Sequence, residues 1–136
     1  MEPERFEELD HTADWALRVQ GRDLSELCLH AATAMLAVSG ARPATGNGER
    51  HEVALRAPDA ESLLVRWLEE ILYALEVRRT LPTRITLTVS PDLALRATWD
   101  EAPLESIEKP IKAVTYHGLE VRRLADQLEA TIVFDV

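Results

Sequence analysis

The apolar residues of this chain switch from a spacing of two to the 3.6 spacing of a helix and back in only two places, and that pattern limits the folds open to it. Arg5–Leu9 alternates, and Trp15, Leu17 and Val19 alternate with Ala16, Arg18 and Gln20, so two strands are joined by residues 10–14. Asp23 is set as an N-cap, with Glu26 three residues on as in a capping box. Leu24, Leu27, Cys28, Ala31, Ala32 and Met35 then trace one helical face that stops near Ser39-Gly40. Beyond a surface loop over Ala41–Gly48, Val53 and Leu55 mark a third strand. Pro58-Asp59 opens a second helix with the stripe Leu64, Trp67, Leu68, Ile71, Leu72 and Leu75, and Arg78-Arg79 suit its C-terminal dipole. Ile85–Val89 and Leu93–Trp99 alternate about Ser90-Pro91-Asp92, a hairpin. Glu101–Pro110 reads as irregular, Lys112–Tyr116 and Leu119–Leu124 as extended, and Leu128–Val136 as a closing strand with Ala130, Ile132 and Phe134 on one face. Runs of strands interrupted by two helices, without βαβ alternation, predict an α+β fold. The expectation is a mainly antiparallel sheet with two helices packed on one face, in two layers.

At 136 residues and 46% hydrophobic, the chain suits a single domain, 1–136, with a core of its own. No apolar run is long enough to cross a bilayer, and the acidic start lacks the regions of a signal peptide. One cysteine excludes an internal disulfide, which fits a cytoplasmic setting. The formal charge of −9 argues against direct binding of nucleic acid, whose phosphates are neutralised by Lys and Arg. The acids are uneven: Glu2, Glu4, Glu7, Glu8, Asp10 and Asp14 crowd the first fourteen residues against Arg5 alone. Such a run reads either as a solvated face or as a site for a cation or a basic partner.

Common enzyme signatures are missing: there is no GxGxxG, P-loop, CxxC, HExxH or GxSxG. Cys28 lies on the apolar stripe, where a thiol is inert. Three polar places remain. Asp10-His11-Thr12-Ala13-Asp14 links two strands, and its side chains suit local turn bonding as well as a ligand. Thr115-Tyr116-His117-Gly118 reads as a strand end and glycine turn. Phe134-Asp135-Val136 ends the sequence, with a carboxylate beside a terminal one. If strands bring Asp14 and Asp135 to one sheet end, the oxygen donors favour Ca²⁺ or Mg²⁺ over zinc. Like charges so close disfavour one another unless a cation neutralises them.

Together the boxes Asp10-His11-Thr12-Ala13-Asp14, Leu63-Leu64-Val65-Arg66-Trp67-Leu68, Ile111-Lys112-Ala113-Val114-Thr115-Tyr116-His117 and Phe134-Asp135-Val136 resemble the archease family. They occur in the family's order and span nearly the whole chain. The resemblance implies a small α+β protein that is no enzyme itself. Its expected role is to activate an RtcB-type RNA ligase of tRNA splicing and RNA repair, promoting guanylylation and turnover. It further implies a metal ion, calcium, held by Asp14, Asp135 and the main-chain oxygens of Val136. Asp10, His11, Lys112, Tyr116 and His117 match family motifs and are candidates for supporting or partner-facing roles. Here the first box runs into Trp15-Ala16 instead of the small aliphatic residue and glycine common in the family, which puts the local packing or partner surface in question. Two rival readings are a general chaperone of RNA- or DNA-processing proteins and a metal-dependent phosphoester hydrolase with His11 or His117 as base.

Overall fold

The structure, a computed structural model, describes residues 6–9 and 14–136, with residues 7–9 and 14 described by their backbone alone. In chain order the elements are β1 (Phe6–Leu9), β2 (Asp14–Gly21), α1 (Leu24–Ser39), β3 (Arg42–Pro43), β4 (Glu49–Arg56) and α2 (Ala60–Tyr73). A π-helical turn over Ala74–Arg78 follows, then β5 (Thr80–Val89), β6 (Ala94–Ser106), β7 (Ala113–Val114), β8 (Arg122–Leu124) and β9 (Gln127–Asp135).

The expected α+β class, antiparallel pairing and two helices are all present. The strands divide between two sheets instead of forming one. The first runs β1-β2-β9-β7, with β8 also on β9; in the second, β6 pairs with β3, β4 and β5. Alternation identifies strands but not their long-range partners, which is why the division is invisible in the sequence. Both helices touch both sheets, α1 against β2 and β5 and α2 against β4 and β7, so one core serves all the layers.

Helix α1 begins as its capping residues require. Asp23 Oδ1 accepts from the N–H of Glu26 at 2.8 Å, and Glu26 Oε1 accepts in return from the N–H of Arg22 at 2.9 Å. Gly40 at φ 66° closes the helix, a left-handed conformation that glycine adopts without strain. Asp59 caps α2 in the same manner, through the N–H of Ser62 at 2.7 Å. In the core Trp67 and Trp99 are fully buried and meet edge to face, with ring centres 5.7 Å apart.

Three local expectations change. Residues 101–106, read as irregular, continue β6, because Thr80–Thr83 and β3 pair with them on either side. The stretches Lys112–Tyr116 and Leu119–Leu124 contribute only Ala113–Val114 and Arg122–Leu124 as strands, both laid against β9. The second helix ends in a π turn whose closing residue, Arg79, adopts φ 56°.

The sheet end at Asp14 and Asp135

Strand β9 carries Ala130, Ile132 and Phe134 inward, all buried, so the next residue, Asp135, turns to the opposite face and is exposed. Strand β2 runs antiparallel to it over eight paired positions, from Gly21 opposite Leu128 to Asp14 opposite Asp135. Residues paired directly across two antiparallel strands share a face, with Cβ atoms about 4.5–5.5 Å apart. The register therefore brings together positions from opposite ends of the sequence.

On the other flank of β9, Ala113 pairs with Asp135, and the N–H of Lys112 donates to the Asp135 carbonyl at 2.7 Å. Thr115 anchors the following loop, donating to the Val133 carbonyl from its N–H at 3.0 Å and its hydroxyl at 2.9 Å. Lys112 stands exposed at this end, and Tyr116 and His117 are exposed on the loop that runs from it back along β9. Val136 is half-buried against the core. Trp15 sits opposite Phe134 at the core's margin, with Lys109 Nζ 4.9 Å from its ring centre, a cation–π contact beside the paired aspartates. Asp10 and His11 lie outside the described residues.

Asp14, Asp135 and Val136 offer oxygen donors only, a set that fits a hard divalent cation and not a thiolate- or imidazole-loving metal. Among the described residues no three His, Cys, Asp or Glu side chains gather into a metal cluster, and the Asp14 side chain lies outside the described residues. Cys28 is buried, and burial pushes its thiol up to about 12, so the chain's one sulfur nucleophile is silent at neutral pH.

One polar cluster escaped the sequence reading. Arg78 holds Glu101 at 2.7 Å, its Nη2 lies 3.4 Å from His51 Nε2, and His51 stacks on Trp99 with ring centres 5.0 Å apart. Nothing in local spacing joins these residues, which come from the π turn, β6 and β4. A shallow depression of about 380 Å³ also lies on the outer face of the second sheet, floored by Ala54, Thr86, Thr98 and Arg96.

Residues 6–136 match the family described as the Archease protein family (MTH1598/TM1083). The chain is 34% identical to protein archease of Methanosarcina barkeri, over 97% of this chain and 96% of that protein. It is 29% identical to protein archease of Sulfurisphaera tokodaii, over 98% and 99%. Among solved structures, a Thermotoga maritima protein described as an archease and possible chaperone superposes with a TM-score of 0.71 at 25% identity, covering 94% of both chains. Methanobacterium thermoautotrophicum protein 1598 gives a TM-score of 0.68 at 26% identity, covering 98% of this chain and all of that one.

Proposed function

The chain belongs to the archease family, and from that premise we propose that it activates an RtcB-type RNA ligase and performs no chemistry of its own. Family membership supports an activator or chaperone-like role; the ligase and the metal are our reading. The observation that carries it is the pairing of Asp14 with Asp135 at a sheet end where Asp135 is exposed. Carboxylates at directly paired strand positions repel one another, a cost that a bound cation or a cationic partner removes.

In this reading a divalent cation, calcium foremost, is held by the carboxylates of Asp14 and Asp135 and a main-chain oxygen of Val136. Such an ion supplies a fixed positive charge able to organise phosphate and carboxylate oxygens during nucleotidyl transfer. The chain's own part is positional. The Lys112 N–H fixes the Asp135 backbone, and Thr115 holds the loop that presents Tyr116 and His117. With a net charge of −9, the protein reaches RNA through the ligase, not directly. The proposed setting is the cytoplasm; no helix among the described residues is long and apolar enough to cross a membrane.

The test is to incubate purified ligase with GTP, with and without this protein. A raised yield of covalent ligase–guanylate is expected, and an unchanged yield overturns the reading. The Thermotoga protein's description as a possible chaperone favours one alternative, broad action on many clients. Pull-down from lysate separates the two: a single ligase partner supports activation, and many unrelated partners support the alternative.

A further inference from the structure

Four large apolar side chains stand exposed among the described residues. Two of them, Tyr73 at 50% and Val77 at 58%, lie four residues apart where α2 passes into its π turn. Turns of this kind recur at functional sites, and this one closes on a backbone that costs energy. The N–H of Arg79 reaches the Ala74 carbonyl five residues back, and Arg79 itself, which is no glycine, adopts φ 56°.

The π turn changes what lies against Tyr73. Residues five apart on an α-helix point about 140° from one another. Here Arg78 is brought back to Tyr73, its guanidinium carbon 5.3 Å from the ring centre and within cation–π range. Arg78 is in turn fixed by its two-pronged bond to Glu101, which also accepts from the Trp99 indole N–H. An aromatic ring is thus displayed to solvent while a partly buried ion pair holds it in place. Such a side chain loses little rotational freedom when a partner covers it, which suits it to act as an anchor.

The surroundings are acidic. Glu69 and Glu70 stand four and three residues before Tyr73, neighbours on a helical surface, and Glu76 adjoins Val77. Glu69 and Glu76 are exposed, Glu70 is half-buried, and none of the three is in an ion pair among the described residues. The nearby bases are largely engaged. Arg66 donates to the Arg56 carbonyl and Arg78 to Glu101, which leaves Arg79 against three carboxylates. We propose that Tyr73 and Val77 form a docking surface for a basic protein segment. That segment lays an apolar side chain between them and sets Lys or Arg side chains against Glu69, Glu70 and Glu76. The partner's identity rests on the activation reading: an RNA ligase carries Lys and Arg for the phosphates of its substrate, and RNA itself is repelled by the same carboxylates. The surface shares no residue with the Asp14–Asp135 pair, so it sets affinity and leaves the activating step to the sheet end.

Titration of purified ligase with the full chain tests this, read both as binding by calorimetry and as yield of covalent ligase–guanylate. Tyr73→Ser is expected to weaken binding about tenfold, yet to give the wild-type yield once it is added to saturation. Tyr73→Phe keeps the ring and should bind like the wild type. Glu69→Lys combined with Glu76→Lys should weaken binding by a similar factor and flatten its dependence on salt. The altered side chains are exposed, and far-UV circular dichroism and urea midpoints check that every variant is folded. A ligase that does not bind the wild type overturns the surface and the activation reading together. Equal binding by wild type and Tyr73→Ser overturns the surface alone, as does a lost yield that saturation does not restore. A change in this protein's own sedimentation on Tyr73→Ser, with ligase affinity unaltered, assigns the face to a second copy and also overturns the proposal.

Discussion

Arg78 and Glu101 lie 23 residues apart and meet in a two-pronged contact, Nε to Oε1 at 3.0 Å and Nη2 to Oε2 at 2.7 Å. The Trp99 indole N–H adds a third donor, 3.0 Å from Oε2. Burial alone would raise the Glu101 carboxyl, but the bonds from Arg78 and Trp99 outweigh it and hold the group below its ordinary value. A carboxylate depressed in the folded state contributes stability above the unfolded value near 4.5, and that stability is lost as pH falls through the lower folded value. Glu101→Gln is therefore expected to be less stable than the wild type at neutral pH, with the gap closing in acid. Urea midpoints at pH 7 and below pH 4 check it, and a gap independent of pH would remove Glu101 as the cause.

Metal linkage should follow the same arithmetic at the paired aspartates. With calcium at a hundred times its dissociation constant, a bound form gains about 2.7 kcal/mol. Asp14→Asn is expected to lose most of that gain while leaving the metal-free protein as stable or slightly more so, since one of two repelling charges is gone. Thermal melts in EDTA and in calcium decide it. Equal calcium shifts in wild type and variant rule Asp14 out as a ligand.

The buried thiol gives a simpler readout. With its thiol pushed up to about 12 and no exposed surface, Cys28 should resist aromatic disulfide reagents in the native protein at pH 8 and react at once in denaturant. The reaction rate under native conditions then reports opening of the core, and prompt stoichiometric labelling would contradict the burial.

Trp67 offers a test of the join between the helices. Its indole N–H donates to the Cys28 carbonyl at 2.8 Å, linking α2 to α1 through the core. Trp67→Phe deletes that donor and part of the ring, and an expected loss of about 2–4 kcal/mol should appear as a lower urea midpoint. Ligase activation at a temperature where the variant remains folded should be unchanged, because Trp67 is fully buried.

Local chemistry was the legible part of this fold. The Asp23 cap, the Gly40 stop, the stripe of α2 and the hairpin about Ser90-Pro91-Asp92 are each written within a few neighbouring residues, and each stands in the structure. What depends on distant partners was not legible. Residues 101–106 extend because other strands flank them, and the π turn ends at an arginine whose acid lies on β6. Residue types alone suggest that Asp14 and Asp135 share a sheet end, and the β2–β9 register supplies the pairing of their backbones. The loop that carries Asp10 and His11 lies outside the described residues, so their relation to that pair rests on the sequence motif alone.

Strand β9 has one more consequence, for the order in which the protein is made. It follows every other described strand in chain order and so leaves the ribosome after them, yet it stands in the middle of the first sheet, between β2 on one side and β7 and β8 on the other. Until it emerges, the long edge of β2 waits without its partner, and Asp14 has nothing opposite it. Interrupted translation products therefore lack the centre of that sheet and the aspartate pair at once. Quality control that removes chains with an open β2 edge therefore also clears those in which Asp14 lacks its cross-strand neighbour.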